Sequence, residues 1–460
     1  MSSARATRPA VENTPSPRAG GGGRATTLRL PVLLSAALSL LVPALAGGAH
    51  AQDGLADLIE LSGRLSTEAR LYPASAVHDG QRSHASGFAA QATAYVEDED
   101  GTSFTFTPFY RYDAGDSERT HADVRDAYVL MYGDLGDDEW ELRLGVDRVF
   151  WGVVESRPLV DIVNQTDLVE HPDEKTKLGQ PMAHVTWSGE WGALEFFGLT
   201  WHRPRTFPGR AGRLRPGQLI DHERTSYESS AEEWHVDLAG RFSGSFGPLD
   251  IGLSVFDGTS REPALLPTQT MPPFGTELVL APHYEKIRQY GVDAQITTGQ
   301  WLLKLEAIHR AGAQNRRPDP GLSELELHRA FRYEEEDYAA FITGVEYTIN
   351  QVWESEADLS LIAEWAHDER GERATNAFES DILLAVRLGL NDEEGTEFIL
   401  STLESLEYSS RVLSAEFKRR LTDSWSLHVE GLVYAEIDEE DVMYSVRRDS
   451  FIAASLAYSF

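Results

Sequence analysis

Stretches of about ten residues in which every second side chain is apolar recur along most of this chain, and that rhythm constrains its fold more than any other feature. In "QWLLKLEAIHR", Trp301, Leu303, Leu305 and Ala307 oppose Lys304, Glu306 and Arg310. "EWELRLGVDR" sets Trp140, Leu142, Leu144 and Val146 against Glu141, Arg143 and Asp147. "VLSAEFKRRL" sets Leu413, Ala415 and Phe417 against Glu416, Lys418 and Arg420, and "SFTFTPFYRY", "EADLSLIAEWA", "SDILLAVRLGL" and "SWSLHVEGLVY" repeat the pattern. A strand sends successive side chains to opposite faces, whereas an amphipathic helix needs apolar spacings of three and four. The chain therefore reads as all-β, an antiparallel barrel of about 18 strands, with 16 as the alternative count. Short joints such as "VEDEDGTS", "YGDLGDDEW" and "GLNDEEGTE" read as hairpin turns rich in residues that accept positive φ. Long loops are expected near 153–180, 202–230, 258–285, 311–336 and 438–448. "DEDG" does not make a calcium loop, because its Gly comes two positions early and no Glu closes it.

Such alternation fits two architectures. A soluble sandwich turns its apolar face to a core, and a secreted glycan-binding protein of that kind would leave the cell in detergent-free extracts. A membrane barrel turns the same face to lipid and keeps its polar face in a wet lumen. The polar faces here carry both signs of charge, as ladders crossing a lumen would. Aromatics gather at the ends of the apolar stripes (Trp140, Trp301, Trp365, Trp425, Tyr434, Tyr458), where interfacial girdles belong.

The first fifty residues fit export. Five arginines accompany a single Glu12 before residue 30, an apolar run follows, and Ala49-His50-Ala51 supplies a small-x-small end. Residues 1–51 read as a cleaved signal peptide and 52–460 as the barrel; a membrane anchor is the alternative, but the run is short and bounded by Pro31 and Pro43. Removing that segment takes away five basic residues and one acidic, moving the net charge from −33 to −37. Nucleic acid is a poor partner for such a chain. Cys is absent, so disulfides and thiolate metal sites are unavailable.

The chain ends "SFIAASLAYSF", with Phe460, Tyr458, Leu456, Ala454 and Ile452 on one face. This resembles the C-terminal strand of Gram-negative outer-membrane β-barrels of the porin-like kind. The resemblance implies recognition by the barrel-assembly machinery, closure against the first strand, contact with outer-membrane lipid and lipopolysaccharide, and the homo-oligomers common among porins.

A barrel this wide suits an aqueous channel for small polar or charged solutes, without a cofactor. Two loops are candidates for selectivity. One carries Arg203, Arg205, Arg210, Arg213, Arg215 and Arg224 within an acidic protein, suited either to steering an anionic solute or to binding lipopolysaccharide phosphates. The other breaks the alternation after Trp151-Gly152 and holds Asp161, Asn164 and Asp167 before Gly179-Gln180-Pro181. That second segment is loosely similar to one in uncharacterised porin-like proteins, some of whose relatives act with exporters of lipidic molecules, which leaves the direction of transport open. Glu141, Arg143, Asp147, Lys304, Glu306, Arg310, Glu416, Lys418 and Arg420 are the candidate lumen ladder. The rival class is a barrel enzyme, for which His428 with Glu430 and His235 with Asp237 are the available pairs; neither is accompanied by a nucleophile motif such as GxSxG. HExxH is also missing, so no metal site is expected.

Overall fold

The computed structural model describes residues 59–270, 277–318, 331–376 and 379–460. The segment read as a signal peptide lies outside them. Seven strands follow one another first: β1 (Ile59–Leu71), β2 (His84–Glu97), β3 (Ser103–Asp113), β4 (His121–Leu135), β5 (Asp138–Asp147), β6 (Gln180–Gly189) and β7 (Gly192–Leu199). After two short strands, β8 (Leu219–Ile220) and β9 (Ser226–Tyr227), come β10 (Asp237–Phe246) and β11 (Leu249–Thr259). A hairpin of β12 (Ala264–Thr270) and β13 (Glu277–Tyr284) precedes β14 (Lys286–Thr298), β15 (Trp301–Pro318), β16 (Phe331–Ile349) and β17 (Asp358–Asp368). The last five are β18 (Ser380–Gly389), β19 (Glu397–Ser405), β20 (Arg411–Arg420), β21 (Trp425–Glu436) and β22 (Phe451–Ser459).

Eighteen of these form one sheet in which each strand pairs antiparallel with the next, β7 with β10 and β11 with β14 bridging the insertions. β22 pairs back onto β1, so the sheet closes and no edge is left unpaired. Phe460 completes the seam: its N–H and C=O exchange hydrogen bonds with Gly63 at 3.1 and 3.0 Å. The Phe460 ring packs over Gly63, and a Cβ there would push the ring aside. One end of the barrel has tight turns, such as 136–137, 190–191, 247–248 and 299–300; the other has the long connections, among them 148–179, 200–236 and 260–285. β8, β9, β12 and β13 make a separate small sheet built from two of those connections.

The wall is inside-out relative to a soluble protein. On β15, Leu303 is 43% exposed while Glu306, on the opposite face of the strand, is fully buried. Trp301, Trp365, Leu384, Val386, Leu400, Leu413, Ile452 and Leu456 all point outward and are exposed. Burying those groups in hydrocarbon is what stabilises such a surface, so the barrel is a transmembrane one.

Three expectations need correction. The 311–336 stretch is not a loop throughout: β15 runs to Pro318 and β16 starts at Phe331, paired past a bulge at Arg310/Ala313. This part lacks an alternating apolar stripe, so period two does not mark it as strand. Tyr434 belongs to no girdle; it lies on the inward face of β21 with Glu430, while Val433 is exposed. Finally, the interior is not uniformly wet. Met182, Phe197, Leu199, Phe256, Ile287 and Ile308 line one inner sector, and Trp151, Val160, Ile162 and Val163 of the 148–179 connection pack onto them. A loop folded inward must bury its own apolar side chains, and this sector of the wall receives them.

Candidate functional site

The 148–179 connection enters the lumen and is anchored on the far wall by two carboxylates. Glu306 on β15 accepts the backbone N–H groups of Val153 and Val154 at 2.7 and 3.1 Å through one oxygen, and those of Leu159 and Val160 at 2.7 and 3.3 Å through the other. Glu364 on β17 accepts from Glu155 and Ser156 at 2.7 and 2.9 Å. Gly152, at φ 138°, approaches Glu306 so closely that a Cβ would contact its carboxylate and Pro158. Each of these six N–H groups thus finds a carboxylate oxygen as its acceptor.

The base of the same connection is tied by the residues its sequence pattern singled out. Asn164 is buried, accepts from Val149 N–H at 2.9 Å and donates to the carbonyls of Asp147 and Leu178, each at 2.9 Å. Asp167 pairs with Arg125 at 2.8 Å and accepts from the Thr206 hydroxyl at 2.9 Å. Asp161 lies 3.2 Å from Lys177 and accepts from Trp151 N–H at 3.3 Å. On the opposite side of the loop, His171 sits 2.8 Å from Glu430 of β21 and 2.9 Å from Asp173. Burial disfavours its cation, but the two carboxylates outweigh that and lift its pKa to about 9.

The arginines of the 200–236 connection are spread over several partners. Arg203 reaches Asp123 at 2.8 Å. Arg205 lies 3.6 Å from Glu174. Arg210 is exposed. Arg213 crosses to the β21–β22 connection, bonding Asp449 at 2.5 Å and the Arg448 carbonyl at 2.6 Å, with its guanidinium 4.5 Å over the Tyr72 ring. Arg215 donates to the carbonyls of Pro216 and Gly217. Arg224 pairs with Asp221 at 3.2 Å.

Residues with no periodic signal complete the picture. Arg157 bonds Glu262 at 2.6 Å and Glu174 at 3.3 Å, and Arg310 lies 3.7 Å from Glu262. Burial raises the Glu262 and Glu174 pKa values, but Arg157 and its neighbours more than offset it and hold both carboxyls below their ordinary range. Glu174 and Glu262 sit in irregular connections, where neither period two nor motif spacing marks a position. Glu155, Glu346 and Arg387 join them as unforeseen groups, although Arg387 does fall on a polar strand face.

The ladder residues divide by solvent contact. Lys304, 5% exposed, pairs with Glu155 at 3.2 Å and Glu346 at 3.6 Å. Arg310 donates to Gln289 at 2.6 and 2.9 Å and is buried. On β18, β19 and β20 three inward charges keep solvent contact, Arg387 at 29% exposed, Glu397 at 34% and Lys418 at 49%, whereas Asp381 on β18 and Glu430 on β21 are buried. There Arg387 lies 3.2 Å from Glu155, Lys418 2.8 Å from Glu416, and His428 3.6 Å from Glu416. Arg420 donates to the Glu393 carbonyl near the turn end. Glu141, Arg143 and Asp147 form one ladder on β5, with separations of 2.7 and 3.3 Å.

Of the pairs considered for an enzyme, His235 bonds Asp237 at 3.0 Å, but that carboxylate already holds Arg261 at 2.9 Å. A Ser226–His283–Glu285 chain, with steps of 2.8 and 3.0 Å, lies on the small sheet. One cluster among the described residues has metal-like spacing, His121 with Asp167 and Glu170, yet both carboxylates are taken by Arg125 and Arg111 at 2.8 and 2.7 Å.

The strand pairing defines a closed, 18-stranded antiparallel transmembrane barrel. Neither protein-family models nor curated proteins yielded a match to the chain. Among solved structures it is similar to a loop-deletion mutant of OmpT, an outer membrane protein of Vibrio cholerae, at 10% identity over 87% of this chain and 99% of that one, TM-score 0.41. Pseudomonas putida OprB (8% identity, 88% and 95% covered, TM-score 0.44) and a triple mutant of the Rhodopseudomonas blastica porin (9%, 87% and 100%, TM-score 0.37) are similar too. At these scores the barrel assignment rests on the strand pairing itself.

Proposed function

We propose that the protein is an outer-membrane channel, and not an enzyme, that passes small polar or charged solutes along the β18–β21 side of its lumen. The observation supporting this is the contrast in solvent contact: the loop packs dry against one wall, while Arg387, Glu397 and Lys418 stay hydrated on the other. Around that side stand the carboxylates of Glu155, Glu346, Asp173, Glu397, Glu416 and Glu430 against Lys304, Arg387, Lys418 and a protonated His171. The surplus of negative charge favours cations over anions of equal size. Liposomes carrying the protein should swell in small sugars and zwitterionic amino acids faster than empty ones. Swelling no faster than the control would refute a solute path. The Ser226–His283–Glu285 chain is read as a surface hydrogen-bond relay, and a fluorophosphonate probe should leave Ser226 unlabelled; an adduct there would favour a hydrolase.

A further inference from the structure

A cavity of about 70 Å³ lies between the 148–179 connection and the wall of β15–β19. That is room for roughly five water-sized groups. Asp381 and Leu383 of β18, Leu403 of β19 and Ala366 of β17 are among its lining residues. They are neighbours on one inward face, since Asp381 is in register with Ala366 and Leu383 with Leu403. Asp381 is the charged group there that nothing else uses. It is 2% exposed, no basic group among the described residues pairs with it, and its Oδ2 has no hydrogen-bond partner.

A carboxylate buried without a partner is costly, and its surroundings add to the cost. Asp441, itself buried, and Glu407 stand on the β21–β22 and β19–β20 connections and repel it. The basic groups that border the cavity are matched elsewhere. Arg157 and Arg310 face Glu262 at 2.6 and 3.7 Å, Arg205 faces Glu174 at 3.6 Å, Lys177 faces Asp161 at 3.2 Å, and Arg261 faces Asp237 at 2.9 Å. Lys175 is exposed, with its backbone N–H bonded to Asp173 at 3.1 Å. A metal ion suits the place poorly. It needs a shell of several oxygens, and Leu383, Leu403 and Ala366 offer none from their side chains, while Asp441 already accepts the Met443 N–H at 2.7 Å. An ammonium group needs one carboxylate, and an alkyl body attached to it suits the apolar neighbours.

We propose that Asp381 binds the ammonium group of a small primary alkylamine, whose alkyl body lies on Leu383 and Leu403 inside the cavity. The ion pair supplies the cation that the carboxylate lacks, and the alkyl chain displaces water from the two leucines. Asp381 shares the inward face of β18 with Arg387 and lies nearer the loop end, so an amine held there stands on the loop side of the solute path. In naming a solute class for the lumen this rests on the channel reading, but binding at Asp381 is measured without transport.

Butylammonium binding tests it directly, with the full chain in nanodiscs of zwitterionic phosphatidylcholine and empty discs subtracted. The expected result is saturable binding, with butanol, which has the same body and no charge, a much weaker competitor. Asp381→Asn keeps the shape and removes the charge. It should weaken butylammonium about tenfold, which corresponds to about 1.4 kcal/mol, and leave butanol unaffected. No partner of Asp381 is lost in that variant, so its melting temperature should not fall. Leu403→Ala should weaken butylammonium more than methylammonium. Butylammonium retained no better than by empty discs, or equally by wild type and Asp381→Asn, overturns the site. A lowered melting temperature in Asp381→Asn also overturns it, because the carboxylate would then have a partner inside the protein. Conductance of the same wild-type preparation is read separately, so the channel and the site can fail independently.

Discussion

Glu306 shows what a single side chain does here. Its two oxygens serve four backbone N–H groups of the connection. Glu306→Ala should leave those donors buried at roughly 1–3 kcal/mol each. The loop should then undock, seen as new protease cleavage within 153–160 and noisier channel currents, with the barrel intact. His171 gives a pH dependence whose sign follows from its raised pKa. Its contribution is fully present below the ordinary value of 6.5 and is lost as pH rises through about 9. Melting temperature should therefore fall between pH 7 and 9.5 in wild type, and His171→Gln should flatten that part of the profile.

Strand by strand, period two carried most of the information. Outward and inward sets on β5, β15, β17, β18 and β20 follow from the sequence, because lipid on one side and charge on the other leave no freedom in parity. The failures have physical causes. Arg316 and Arg317 sit on paired strand whose sequence carries no apolar alternation. The connections that build the site pair residues far apart in sequence, such as Arg157 with Glu262, and no local spacing reports that. Asn164, Asp161 and Asp167 were legible as a polar loop, but their partners were not. The face assignment makes its own prediction. Leu305→Arg puts a charge on the lipid face and should cost roughly 2–4 kcal/mol near the bilayer midplane. Ser401→Lys, facing the lumen beside Ser414, should change folding little while shifting ion selectivity toward anions.

For the molecule as a whole, the wall and the loops do separate jobs. The closed sheet pairs each strand's backbone with a neighbour on both sides, and the seam through Phe460 is the last part of that closure. The connections then decide how much of the lumen stays open, with Glu306 and Glu364 holding one across it. In planar bilayers, Glu397→Gln with Glu416→Gln should lower the cation-to-anion permeability ratio; an unchanged ratio would move the path elsewhere. All of this depends on which face of each strand meets lipid. The chain has no cysteine, so a single introduced thiol reports one position only. Spin labels at Leu384→Cys and Ser401→Cys, in lipid, give the most direct measurement. The account expects the label at 384 to be relaxed by oxygen and that at 401 by a water-soluble nickel chelate. The opposite accessibilities would contradict it.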